Sequence, residues 1–379
     1  MWGRRGRLLA AALLAGLALV IPASAKTVMG TSGPDVLRGG DRSDKLYGKS
    51  GNDRLFGLNG NDLLVGGPGK DLLEGAAGND RLLTRDGAQD IVRCGSERDQ
   101  AVVDERDRVA SDCESVLRPV PDPQTFVIAA AGDIAGEGSG DDQTAAVLDR
   151  IAPSVALTTG DNAYPDGALS EFQAYYEPTW GRHRLRTRPS PGNHDYHTEG
   201  ASGYFTYFGA RAPGPYYSFD LGSWHMISLN SEISMAEGSA QYKWLQNDLA
   251  SLSTRCTLAY WHKPRFTAGK YKDFTFTTAI WRLLYAAKAE VVLNGHDHNY
   301  QRYGLLTPDG SADPVRGIRE FVVGTGGRSL YELSRDPRRE EAQARVYGVL
   351  QMTLRPGGYD WRFVPVSGGY SDLGSADCR

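Results

Sequence analysis

A leucine recurs every nine residues at Leu37, Leu46, Leu55, Leu64, Leu73 and Leu82, each two positions after an aspartate of the series Asp35, Asp44, Asp53, Asp62, Asp71 and Asp80. Gly33, Gly51, Gly60, Gly69 and Gly78 stand two positions before their aspartates. GKSGNDRLF, GLNGNDLLV and GGPGKDLLE carry the pattern best. Such a period predicts a solenoid in which a glycine-rich turn leads into a short strand with one inward leucine. From Thr125 the pattern changes. Apolar runs of strand length alternate with helix-length stretches, which predicts an α/β domain. TFVIAAAGD reads as a buried strand ending at Asp133, DDQTAAVLDRI as the helix after it, and SVALTTGD as a strand ending at Asp161. RTRPSPGNHD ends at Asn193 and His194, CTLAYWH at His262, and EVVLNGHDH at His296 and His298.

Other segments fall outside both patterns. Arg4, Arg5 and Arg7 precede an apolar run from Leu8 to Ile21, and Pro22, Ala23, Ser24 and Ala25 follow it. Residues 1–25 are therefore expected to be a secretory leader, since a membrane span needs about 20 apolar residues. The stretch LRPVPDPQ holds three prolines and predicts a stiff connector over 119–124. The expected organisation is a roll over 30–92, a closed cap over 93–118, the connector, and a catalytic domain over 125–379.

Composition sharpens the contrast. Of 46 glycines in 379 residues, 14 fall within 30–92, where the only aromatics are Tyr47 and Phe56. That segment cannot build an ordinary core, whereas the remainder can. A formal charge of −4, or −7 once the leader and its three arginines are removed, argues against a nucleic-acid-binding patch. Export implies a disulfide-permissive, calcium-rich setting. Of four cysteines, Cys94 and Cys113 flank one short charged segment and are expected to pair; Cys256 and Cys378 pair only by elimination.

One carboxylate and several turn carbonyls per repeat supply hard oxygen ligands at fixed spacing, a set suited to calcium. Six units in phase resemble the hemolysin-type (RTX) calcium-binding nonapeptide repeat, GGxGxDxUx. The resemblance implies a parallel β-roll with Ca²⁺ held by Asp35, Asp44, Asp53, Asp62, Asp71 and Asp80. Arg42 replaces the second glycine of one unit, and Thr31 and Pro34 depart from the pattern in the first. After Asp80 the spacing slips to ten at Asp90.

In the second half every polar residue of interest lies just past the carboxyl end of a strand, the edge where open α/β sheets bind ligands. Two aspartates, an asparagine and three histidines can hold two metal ions with one carboxylate bridging, an arrangement that activates water for phosphoryl displacement. The ordered series GD, GDxxY, GNHD, H and GHxH resembles the calcineurin-like metallophosphoesterases, and among them the purple acid phosphatases. The resemblance implies a four-layer αββα sandwich. It assigns Asp133, Asp161, Tyr164 and His298 to one metal and Asn193, His262 and His296, with bridging Asp161, to the other. A phenolate ligand needs a strongly Lewis-acidic partner, so Tyr164 implies Fe(III) beside a divalent Fe, Zn or Mn ion. His194 is expected to contact the phosphate and protonate the leaving group.

The chain departs from plant-type members at WHKPRF, where Lys263 follows His262 in place of a second histidine. Lys263 or Arg265 would then supply positive charge. His183 and His225 read as structural, the first at the surface; His197 and the aromatics Tyr204, Tyr207, Phe208, Tyr216 and Tyr217 are candidates for the pocket. GTGGR, Gly324 to Arg328, reads as a turn near the site, and the tract from Ser334 to Arg345 as a solvated loop or short helix. Gly132, Gly160, Gly192 and Gly295 each precede a ligand, where a chain leaving a strand must turn sharply. The expected function is a secreted acid phosphatase acting on phosphate esters, with possible partners at a cell surface or matrix reached through the repeats. A divalent-metal phosphodiesterase or nucleotidase stays open, as does a calcium-dependent attachment protein with an inactive phosphatase-like domain.

Overall fold

A computed structural model describes residues 25–86, 88–104, 106–118, 124–252, 254 and 256–379. The expected leader and connector lie outside the described residues except at Ala25 and Gln124. The chain divides into two compact units, Met1–Val120 and Pro121–Arg379.

In the first unit the repeats coil into two parallel sheets, one of six strands and one of five. Each coil takes two nonapeptides, so Lys45 pairs with Leu63 and Leu63 with Arg81, steps of 18 residues. Leu46, Leu55, Leu64, Leu73 and Leu82 are fully buried between the sheets. Each contributes roughly 2 kcal/mol by burial, because a narrow solenoid has little else to bury. The roll does not stop at 92. Strand Ile91–Ser96 pairs in parallel with Leu72–Ala77, Gln100–Val102 with Arg81–Leu83, Arg108–Val109 with Ile91–Ser96, and Ser115–Leu117 with Gln100–Val102. The slip to ten is absorbed as one extra residue between coils, Leu73 now facing Val92, and the inward apolar side chain is kept. The segment read as a cap is thus further coils, with Cys94 and Cys113 joined across them.

The second unit is a mixed α/β sandwich. Its first sheet runs Thr187–Ser190, Val155–Thr159, Phe126–Ala131, Gly348–Arg355, Gly358–Pro365, Leu373–Asp377. Its second runs Tyr217–Leu221, Trp224–Ser228, Cys256–Tyr260, Val291–Asn294, Ile318–Val323, Tyr300–Leu306, Arg339–Gln343. The ligand-bearing strands are mutually parallel within each sheet, so their carboxyl ends share an edge. Met226, Leu258, Tyr260 and Val291 face the core shared with the first sheet, while Ile227, Ala259 and Val292 face the opposite way. There Leu245, Ile280, Trp281 and Leu284 of helices Ala240–Ala250 and Thr278–Ala286 cover them. Helix Asp141–Ile151 packs on the first sheet, so the layers run helix, sheet, sheet, helix. Both faces of the parallel strands are dry, which is why they read as continuous apolar runs. Cys256 and Cys378 are bonded, tying the C-terminus to the second sheet. Arg339–Gln343 within the supposed loop or helix is an edge strand, held by pairing with Tyr300–Leu306. Among the described residues no helix is long and apolar enough to cross a membrane.

Candidate metal centre

Asp133, Asp161, His262 and His296 each stand two residues past a strand end, and Asn193 stands three past one. Three of them carry the turn themselves: φ is 59° at Asp133, 50° at Asp161 and 68° at His296. Left-handed backbone costs a non-glycine residue about 1 kcal/mol or more and gathers at functional sites. Of the four preceding glycines only Gly160 has a positive φ, 90°. The others serve by lacking a side chain: a Cβ on Gly295 would lie 2.7 Å from Asp133 Oδ2. The expectation that these glycines do the turning is corrected accordingly.

The ligand atoms converge in two groups. Tyr164 Oη lies 3.0 Å from Asp133 Oδ1, 3.0 Å from Asp161 Oδ2 and 3.3 Å from His298 Nε2. His262 Nε2 lies 3.2 Å from Asp161 Oδ2, 3.2 Å from Asn193 Oδ1 and 3.0 Å from His296 Nδ1. Asp161 Oδ2 belongs to both groups. The second ring nitrogens are anchored, His262 Nδ1 donating to Thr159 O at 2.9 Å and His298 Nδ1 to Ser329 O at 2.8 Å. That fixes the tautomer and turns each Nε2 lone pair inward, as outer contacts of metal ligands do.

Electrostatics show what the site attracts. Burial raises the Tyr164 phenol well above its usual range, and the Asp133 and Asp161 carboxylates add to the rise. Burial opposes charge on His262 too, yet the Asp161 carboxylate lifts it to about 10. Burial and the neighbouring His262 push His296 down to about 2. Lone pairs crowd a dry space that draws positive charge, and the N, O donor set suits a pair of ions of the iron, zinc or manganese type.

His194 is partly exposed, with Nδ1 2.5 Å from Pro165 O and Nε2 3.9 Å from Asp161 Oδ2. Asp195 is missed by sequence reasoning although it closes the GNHD motif. Fully buried, it accepts from Gly192 N and from Asn162, and it holds the loop that presents Asn193 and His194. Burial and then Asp161 raise it to about 7. Tyr271 stacks on His296 at 4.2 Å and Tyr331 on His298 at 4.0 Å; no motif marks either.

Other candidates fall elsewhere. Lys263 is tied to Glu232 at 2.6 Å. Arg265 lies over the Phe266 ring and donates to Pro308 O, away from the ligands. His183 is buried against Asp149, not at the surface, because the turn Trp180–Arg186 folds it inward. His225 bridges Asp220 and Asp248. His197 faces Asp166, 4.7 Å from the His194 ring. Tyr204, Tyr207 and Phe208 are buried in the core, where they cover the sheet, and Tyr217 is buried with its hydroxyl donating to Pro189 O at 2.8 Å.

In the roll the aspartates form two columns. From Asp53 on, each accepts at Oδ1 from the backbone N–H of the aspartate one coil before, as Asp53 does from Asp35 and Asp62 from Asp44, at 2.8 and 2.7 Å. Oδ2 of Asp44, Asp53, Asp62, Asp71 and Asp80 is buried with no partner, and so is that of Asp90 and Asp99. Leaving a buried carboxylate oxygen bare costs several kcal/mol unless a cation meets it. Where a Cβ on Gly57 would sit, Asp62 Oδ2 lies 2.5 Å and Gly75 O 2.7 Å away, oxygens with no donor between them. That chemistry fits calcium. One column closes at both ends on protein donors: Asp35 Oδ2 accepts from Thr31 N and Oγ1, and Asp107 Oδ2 from Thr84 Oγ1 and Asp104 N. Asp35 Oδ2 thus differs from the bare Oδ2 atoms of the other five repeat aspartates, because Thr31 supplies it with donors.

Residues 126–300 match the family of calcineurin-like phosphoesterases, and 29–64 and 56–88 the RTX calcium-binding nonapeptide repeat. The chain is 27% identical over 251 residues to purple acid phosphatase 15 of Arabidopsis thaliana, covering 55% of this chain and 47% of that one. It is 29% identical over 227 residues to purple acid phosphatase 21 of the same plant, with coverages of 54% and 51%. The chain thus spans about half the length of the curated relatives it matches. In fold it is similar to the purple acid phosphatase PPD1 from yellow lupin (Lupinus luteus) seeds, with a TM-score of 0.59 at 17% identity over 67% of this chain and 54% of that chain.

Proposed function

We propose that residues 125–379 form a secreted, metal-dependent phosphomonoesterase of the acid phosphatase type, joined to a roll stabilised by calcium. The convergence of Asp133, Tyr164 and His298 on one side of Asp161 and of Asn193, His262 and His296 on the other carries this reading. A bound ion pair, Fe(III) with a divalent partner, would supply Lewis acidity toward the phosphoryl oxygens and make water more acidic.

The chain's own residues do the rest. Asp161 spans both groups, and the Thr159 and Ser329 carbonyls keep His262 and His298 in register. Asp195 fixes the loop of Asn193 and His194. Because Pro165 O holds the Nδ1 proton of His194, the imidazolium offers its Nε2 proton, on the side of Asp161, to the departing alcohol oxygen. The leader pattern and two disulfides support export. Calcium affinity in the extracellular range, on the order of 10⁻⁴ to 10⁻³ M, is expected.

The test is hydrolysis of p-nitrophenyl phosphate by purified full-length protein at about pH 5, with metal analysis and a visible spectrum. Turnover, about two transition metals per chain and a broad visible band are expected. A colourless enzyme loaded only with Mn or Zn and preferring diesters would overturn the acid phosphatase reading. Fewer than two metals without turnover would favour the attachment role.

A further inference from the structure

The GTGGR loop serves as more than a turn. Gly326 N donates to Gly132 O at 2.9 Å, Arg328 N to Asp133 O at 3.0 Å and Thr144 Oγ1 to Gly326 O at 2.6 Å, so the loop is fastened to the strand end that carries Asp133. From it the Arg328 guanidinium lies over the Tyr164 ring, Cζ 4.5 Å from the centroid. Arg328 is half-buried, forms no ion pair among the described residues, and its Nε is buried without a partner. The Ser139 hydroxyl is likewise buried without a partner. Both converge beside Gly136, where a Cβ would meet Arg328 Nη1 at 3.1 Å, Ser139 Oγ at 3.4 Å and Tyr164 Cβ at 3.0 Å. Glycine at 136 lets the guanidinium and the hydroxyl approach one another closely, and two of their polar atoms, Arg328 Nε and Ser139 Oγ, have no protein partner, although the Asp141 carboxylate stands near enough to feel the Arg328 charge. Buried donors of this kind are normally paired, which marks a place for a ligand.

Its position decides what kind. The Arg328 and Ser139 side chains gather at the Cβ end of Tyr164, while the phenol oxygen at the other end meets Asp133 and Asp161. A phosphoryl group held at the carboxylates is therefore a ring's width away, and what reaches Arg328 is another part of the same substrate. We propose that Arg328 and Ser139 form an accessory anion subsite, so that the preferred substrates are phosphate monoesters whose leaving group carries a second anionic group, a carboxylate or another phosphate. The guanidinium fork binds that group, with Tyr164 as its floor. The subsite rests on the phosphatase reading of the adjoining centre.

The matched pair 3-phosphoglycerate and glycerol 3-phosphate, which differ in a carboxylate against a hydroxymethyl group, tests it on the full-length, metal-loaded protein. The parent is expected to show kcat/KM about 10-fold or more higher for 3-phosphoglycerate, a charged hydrogen bond's effect. Arg328→Gln should abolish that ratio, Arg328→Lys should leave part of it, and Ser139→Ala should reduce it. No preference in the parent, or an equal loss on both esters in Arg328→Gln, overturns the subsite while leaving the phosphatase reading intact. If neither ester is hydrolysed, that reading fails, and calorimetric binding of 3-phosphoglycerate decides the subsite alone. Binding weakened about 10-fold in Arg328→Gln supports it, and unchanged binding overturns it.

Discussion

Gly295→Ala isolates the steric reason for glycine at this centre, because Gly295 has no positive φ to complicate it. The added Cβ would stand 2.7 Å from Asp133 Oδ2 and 2.8 Å from Thr159 O. Ordinary contact needs about 0.7 Å more. Thr159 O belongs to a buried strand and anchors His262, so Asp133 must give way. Its Oδ2 accepts from His296 N at 2.8 Å, and that bond is displaced as well. Misplacement approaching 1 Å at reacting groups costs about 10²-fold in rate, and overpacking a core costs about 1 to 3 kcal/mol. We expect kcat/KM on p-nitrophenyl phosphate to fall about 100-fold, with reduced metal content and a lower melting temperature. Gly369→Ala, where a Cβ meets nothing within 4 Å, is the control. A Gly295→Ala protein with full metal content and kcat/KM within about threefold of the parent would refute the reasoning.

Three further outcomes follow from the structure. Tyr164→Phe should lose the visible band and keep part of the activity; a band that persists in its spectrum removes Tyr164 from the metal. In chelator, burial and neighbouring carboxylates hold Asp71 and Asp80 up at about 6 and Asp90 at about 8. Carboxyls raised in the folded state stabilise it below their unfolded pKa near 4 and lose that contribution as pH rises through the folded values. The chelated roll should therefore melt lower at pH 8 than at pH 5, and calcium should restore most at pH 8; flat melting curves across that range would count against bare carboxylates. Replacing Cys256 and Cys378 by serine opens a loop with a sequence separation of 122, worth about 4 to 5 kcal/mol in the chain-entropy model. Thermal unfolding of the double variant should show a clearly lower midpoint, with the Cys94–Cys113 bond as internal reference.

Periodicity reaches far in this chain because each element repeats one physical demand. A leucine every nine residues can only stack, and a short polar motif after each apolar run lies at a strand's carboxyl end, so the roll, the sandwich and the edge that gathers the candidate ligands are legible without coordinates. Where the period faltered, reading failed: strand pairing carries the roll past 92 because a coil step of 19 residues still keeps the inward position, Leu73 facing Val92. His183 looked exposed because nothing local shows that Trp180–Arg186 turns inward.

Sequence by itself determined that each candidate residue of the centre follows a strand end and that carboxylates recur along the repeats, since both follow from spacing along one strand or coil. Tertiary structure decided which oxygens are left bare along the roll, because Thr84 satisfies Asp107 from the preceding coil while the aspartates between stay bare. It also decided which cation reaches the site. Lys263 sits beside a ligand in sequence yet is spent on Glu232, while Arg328, more than a hundred residues from Tyr164, lies over its ring. Charge acts through space, and only the fold sets those distances.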